Sequence, residues 1–167
     1  LRDDIERYGV SGDVTLTGYL TTDEAFTENV AACDVALNLR WPTAREMSGP
    51  WLRCLAAGKP TVIVDLAHLA NVPTLAPRTW QPNAGSASSA APCAVAIDIL
   101  DEDHSLRLAM RRLGTDPLLR ATLGRTAVSY WQREHSVDRM VADYRNLIED
   151  AVRRPVPHVS LPPHLLD

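Results

Sequence analysis

Short apolar runs alternate with longer amphipathic stretches along this chain. Val35-Ala36-Leu37-Asn38-Leu39, Thr61-Val62-Ile63-Val64-Asp65 and Cys93-Ala94-Val95-Ala96-Ile97 are nearly continuous apolar segments of strand length. Such runs suit strands covered on both faces, as in a parallel sheet. Val14-Thr15-Leu16-Thr17, closed by Gly18, alternates apolar with polar and predicts a further strand. Between and after these runs the apolar spacing changes to three and four. Residues 3–8 predict a helix end stopped by Gly9, and Thr21-Thr22-Asp23-Glu24 supplies an N-cap and early acids for a helix to about residue 32 that carries Phe26, Val30 and Ala31 on its inner face. Ser48-Gly49-Pro50 opens a short helix with Leu52, Leu55 and Ala56 inward, stopped by Gly58. Helices are predicted at about 103–113, 117–132 and 137–152, the last with Val137, Met140, Val141, Tyr144 and Ile148 along one face.

Strands near 14–17, 35–39, 61–65 and 94–97 alternating with helices predict an α/β protein with a doubly wound, Rossmann-like, mostly parallel sheet. One domain covers 1–152, and a Pro-rich tail follows at 153–167. From about 74 to 92 the periodicity fails. Prolines lead into Gly85-Ser86-Ala87-Ser88-Ser89-Ala90-Ala91, which predicts a surface insertion that is mobile over 83–91.

Composition narrows the function classes. The 167 residues are 46% apolar and carry a net charge of −4, which excludes a disordered chain and gives nucleic acid no basic footprint. No run approaches the ~18 apolar residues of a membrane span. No signal-like core opens the chain, so a cytoplasmic protein is expected. Cys33, Cys54 and Cys93 are widely spaced among small apolar residues and read as buried reduced thiols, with no zinc spacing. His68, His104, His135, His158 and His164 show no metal-ligand spacing either, and the serines near 86–89 form no nucleophile turn. Trp41, Trp51 and Trp80 fit core packing or stacking on a base or sugar.

The stretch from Arg40 to Trp51 holds the chemistry. In a doubly wound sheet, ligands bind beyond the carboxyl ends of the strands, where this loop falls. A small-residue helix start offers N–H donors and a positive dipole end to phosphate. Glu46 just ahead of it, with Arg40 and Arg45 nearby, could place a carboxylate beside an anion site. The same residues are equally an ordinary helix cap and a solvated acid.

Residues 10–150 resemble the C-terminal, donor-binding domain of GT-B glycosyltransferases, most closely the retaining family 4, also called group 1. The resemblance rests on Glu46-Met47-Ser48-Gly49, Ala57-Gly58-Lys59-Pro60 with the strand after it, Val14–Gly18, Ala32-Cys33-Asp34-Val35, and Asp116-Pro117-Leu118-Leu119-Arg120 with Leu123-Gly124, in family order. It implies a transferase acting on a nucleotide-diphosphate sugar, without metal or other cofactor, toward a glycan, lipid or cell-envelope acceptor. Glu46 would be the catalytic-site acid at the donor sugar, and Arg40, Met47, Ser48, Gly49 and Cys54 would line the donor site. It further implies a domain lacking its first strand–helix unit, preceded in a longer enzyme by the acceptor-binding domain and inactive alone. Departures are specific. Cys54 stands where the family has a second Glu for the ribose, Arg45 stands where a related subgroup has Gly, and Pro50 replaces a residue with an N–H. They support an alternative: a non-catalytic α/β binding or interaction domain with a degenerate nucleotide site.

Overall fold

The computed structural model describes residues 1–42, 47–83 and 90–155. Four parallel strands form one sheet in the order β1-β2-β4-β3: β1 Ala36–Asn38, β2 Thr61–Val64, β3 Thr74–Leu75 and β4 Ala94–Ile97. Six helices accompany them among the described residues: α1 Arg2–Arg7, α2 Asp23–Ala32, α3 Gly49–Ala56, α4 Glu102–Thr115, α5 Pro117–Glu134 and α6 Val137–Arg153. The α/β class and the parallel sheet are as the sequence pattern predicts, and the arrangement is compatible with a Rossmann-like fold.

Strand pleating divides the core into two layers. Ile63, Ala94 and Ala96 pack against Trp51 and Leu55 of α3 and Ala127 and Tyr130 of α5. Val62, Val64, Val95 and Ile97 pack against Ala109 and Leu113 of α4 and Leu123 of α5 on the other side. Successive side chains point to opposite faces, so a four-residue strand supplies both layers at once. β2 and β4 are buried at every position for this reason.

Four expectations about the first third of the chain are corrected. Val14–Thr17 forms no strand, and its Val14 and Leu16 are exposed. A strand exists through its ladder, and β1's outer edge carries no partner among the described residues. In consequence β1 is an edge strand with Leu37 46% exposed, not a strand buried on both faces. Ala31 is exposed too, so Val30 alone of α2 is buried. Polar contacts attach α2 instead. Lys59 Nζ donates to the Ala31 and Cys33 carbonyls at 2.7 and 2.9 Å, closing α2's C-terminal end. Arg53 pairs with Asp23 at 2.6 Å and lies over the Phe26 ring. Cys33 is exposed, unlike Cys54 and Cys93.

On α3, Ala56 faces solvent, and Trp51 and Cys54 join Leu55 in the core. The span read as a surface insertion contributes β3. Thr74 is buried, Cys93 N–H donates to the Pro73 carbonyl, and Asn83 donates from backbone and side chain to Thr74. Trp80 lies under Arg112 of α4. The remainder of the span expected to be mobile, residues 84–89, lies outside the described residues, as do 156–167 of the tail.

α6 is a long amphipathic helix whose apolar face is uncovered. Val137, Tyr144, Leu147 and Ile148 are each more than half exposed, and none of its residues is buried.

Two contacts yield measurable consequences. α5 crosses the turn after α3 so closely that a Cβ on Gly124 would overlap the carbonyl oxygen of Gly58, itself in the left-handed region at φ +65°. Gly124→Ala is therefore expected to destabilise the chain by about 1–2 kcal/mol in urea unfolding: overpacking outweighs the ~1 kcal/mol gained in helix propensity. A stabilised variant would contradict the close approach.

His135, at the C-terminal end of α5, stacks edge-on against Tyr130 and has its Nε2 buried without a hydrogen-bond partner among the described residues. Burial lowers its pKa from the ordinary 6.5, opposed in part by Glu134. The unfolded chain then binds a proton that the folded chain resists, so stability falls as pH drops through 6.5 toward the lowered folded value. Between pH 7.5 and 5.5 the melting temperature of the wild type should fall more steeply than that of His135→Gln. Parallel slopes would remove His135 from the account.

Candidate functional site

The carboxyl ends of β1 and β2 open into a small cleft whose enclosed space is about 30 Å³. Three pieces of chain build its polar rim. β1 delivers Asn38 and, two residues later, Arg40; the cap of α3 delivers Ser48; the 3₁₀ turn Ala67–Leu69 after β2 delivers His68. Its floor is apolar, from Trp51, Ile63, Val64, Leu66 and Leu69. A polar rim over an apolar floor at this edge of a parallel sheet is the usual form of a ligand crevice.

Ser48 shows why the sequence starts a helix here. Its side chain accepts from the Trp51 N–H at 3.3 Å, a capping bond that leaves the hydroxyl proton free to donate elsewhere. Capping has a cost for anion binding. Of α3's first-turn positions, Pro50 has no N–H and the Trp51 N–H is occupied, which leaves the Gly49 N–H as the open donor. Trp51 fixes the terminus: its indole is 2% exposed and its Nε1–H donates to the buried Thr61 hydroxyl at 3.0 Å.

The residues expected to form one site separate in three dimensions. Arg40 and Ser48 meet in the cleft, with Gly49 adjoining Ser48 at the start of α3. Met47, 42% exposed, lines a different groove with Leu52, His135, Met140, Tyr144 and Leu147. Cys54 lies in the core at 4% exposure, on the inner face of α3. Burial raises its thiol pKa, although the Asn38 amide beside it favours the thiolate. A protonated thiol behind the cleft wall offers a ribose no ionised acceptor. Apart from that sulfur, Asn38 Nδ2 is buried without a hydrogen-bond partner among the described residues. Glu46, the expected acid, and Arg45 lie outside the described residues, which resume at Met47.

Sequence reasoning missed Asn38 and His68. Asn38 reads as one polar residue inside an apolar strand, and His68 as one of five scattered histidines; only the parallel pairing of β1 with β2 brings them to one crevice. A second cleft of about 190 Å³ opens across the end of β2, lined by Asp65, Arg78, Asn83, Asp98 and Ser105. Arg78 there pairs with Asp101, and Asp98 caps the following 3₁₀ turn. No group of His, Cys, Asp and Glu among the described residues is arranged to hold a metal ion. No described helix is long and apolar enough to cross a membrane.

Comparison with protein-family models, with curated proteins and with solved structures gives no match to this chain.

Proposed function

We propose that this chain is the donor-binding part of a retaining glycosyltransferase that takes a sugar from a nucleotide-diphosphate sugar. The observation that carries the reading is the cleft at the carboxyl ends of β1 and β2, where Arg40 and Ser48 converge at the segment whose residues resemble the family's donor-binding motif. In this reading the Ser48 hydroxyl and the Gly49 N–H donate to the diphosphate, Arg40 supplies positive charge at the wall, and Glu46 meets hydroxyls of the donor sugar. The acceptor-binding domain belongs to a longer enzyme, so transfer is a property of that enzyme and donor binding a property of this chain.

A second reading has specific support. Cys54 is buried where the family has a ribose-binding acid, which fits a domain that keeps the fold and has lost the nucleotide. Calorimetric titration with UDP, GDP, ADP and dTDP separates the two. The donor-site reading expects at least one diphosphate to bind with a Kd at or below about 1 mM. Failure of all four to bind would leave the non-catalytic domain as the better account.

A further inference from the structure

We infer that His68 is a ligand-contacting residue of this cleft, donating a hydrogen bond to the diphosphate from the 3₁₀ turn after β2. The inference rests on the donor-site reading and adds to it a residue that neither the sequence pattern nor the resemblance assigns.

The α3 side of the cleft is short of donors. Pro50 has none, and Ser48 occupies the Trp51 N–H, so the terminus offers one backbone N–H and one hydroxyl. Arg40 adds charge and N–H donors at the rim. A diphosphate presents acceptor oxygens on more than one side, and a phosphate oxygen buried without a partner carries the desolvation cost of an unmet charge, so a donor on the turn after β2 completes the set.

His68 is placed to supply it. It sits on the 3₁₀ turn Ala67–Leu69, directly beyond the carboxyl end of β2, and lines the same cleft as Arg40 and Ser48. Leu66 and Leu69 of that turn extend the apolar floor, and Leu69 packs on the core cluster around Trp51, which fixes the turn against the sheet. His68 is half-buried and has no hydrogen bond or ion pair with any described residue. An imidazole always carries at least one N–H, so it can donate to an oxyanion in either charge state. No cap, backbone carbonyl or carboxylate among the described residues engages His68, which leaves its N–H available at the cleft it lines.

Titration of the 167-residue chain with the diphosphate that the wild type binds, alongside His68→Ala and His68→Gln, tests the assignment. His68→Ala should weaken binding about 10-fold, the usual consequence of losing one hydrogen bond to a charged group. His68→Gln keeps an N–H donor of similar reach and should recover part of that loss, which a purely steric role would not produce. Both variants should melt within a few degrees of wild type, because the side chain holds no bond in the folded chain. Unchanged affinity in His68→Ala would overturn this inference and leave the donor-site reading intact. Loss of affinity in both variants alike, with a lowered melting point, would assign His68 a structural role and overturn it too. If the wild type binds none of the four diphosphates, the donor-site reading fails and this inference with it.

Discussion

Trp51→Ala is expected to destabilise the chain by about 3–5 kcal/mol in urea unfolding followed by circular dichroism. The indole is the largest side chain in the core and touches both the sheet and α5 through the cluster around Ile63, Ala94 and Tyr130. Ala94 and Ala96 are small on that side of β4, which leaves the room the indole occupies. Truncation opens a cavity there and also removes the donor to the Thr61 hydroxyl, 3.0 Å from Nε1. Trp51→Phe separates the two contributions. It keeps most of the volume and loses the hydrogen bond, so a cost of about 1–3 kcal/mol is expected. Equal costs for Ala and Phe would mean that the hydrogen bond, not the volume, holds α3. The same residue ties stability to the site, since Trp51 anchors the turn whose cap Ser48 lines the cleft. On the donor-site reading, diphosphate affinity should fall in Trp51→Ala even under conditions where the variant is fully folded.

On the donor-site reading, Glu46→Ala in the longer enzyme that this reading implies should lower turnover at least about 10-fold while leaving the melting point nearly unchanged. One charge-assisted hydrogen bond to a sugar hydroxyl is worth about 1.5–3 kcal/mol, and the donor-site reading gives this carboxylate no part in the core. Cys54→Ala provides the contrast. Its thiol is buried and held protonated by its surroundings, so turnover should stay near wild type and any effect should appear in stability. Turnover in Glu46→Ala at wild-type level would remove the acid from the site and strengthen the reading of a degenerate domain. A large loss of turnover in Cys54→Ala would show that the core position controls the cleft wall through Asn38.

The residues that define this chain by themselves are those whose role is local. Thr22, Ser48, Asp116 and Ser136 each accept from a backbone N–H at the start of their helix, as short polar side chains ahead of periodic segments do. The continuous apolar runs at Thr61–Val64 and Ala94–Ile97 had to be covered on both faces, and only a parallel sheet flanked by helices does that. Period and capping act over a few residues, so they can be read along the chain.

What lay beyond reading was decided by neighbours distant in sequence. Val14–Thr17 has strand composition and no strand, because a ladder needs a partner and it pairs with none among the described residues. Thr74–Leu75 has almost no signal between its prolines, yet pairs with β4 and becomes the far edge of the sheet. Lys59 looks like one cation in a turn and closes the end of a helix 26 to 28 residues away. The site divides in the same manner. Met47 and Ser48 are adjacent in sequence, but the start of α3 turns one toward the groove beside α6 and the other into the cleft. Asn38, Ser48 and His68 are separated along the chain and share that cleft, because parallel strands return each carboxyl end to the same edge of the sheet.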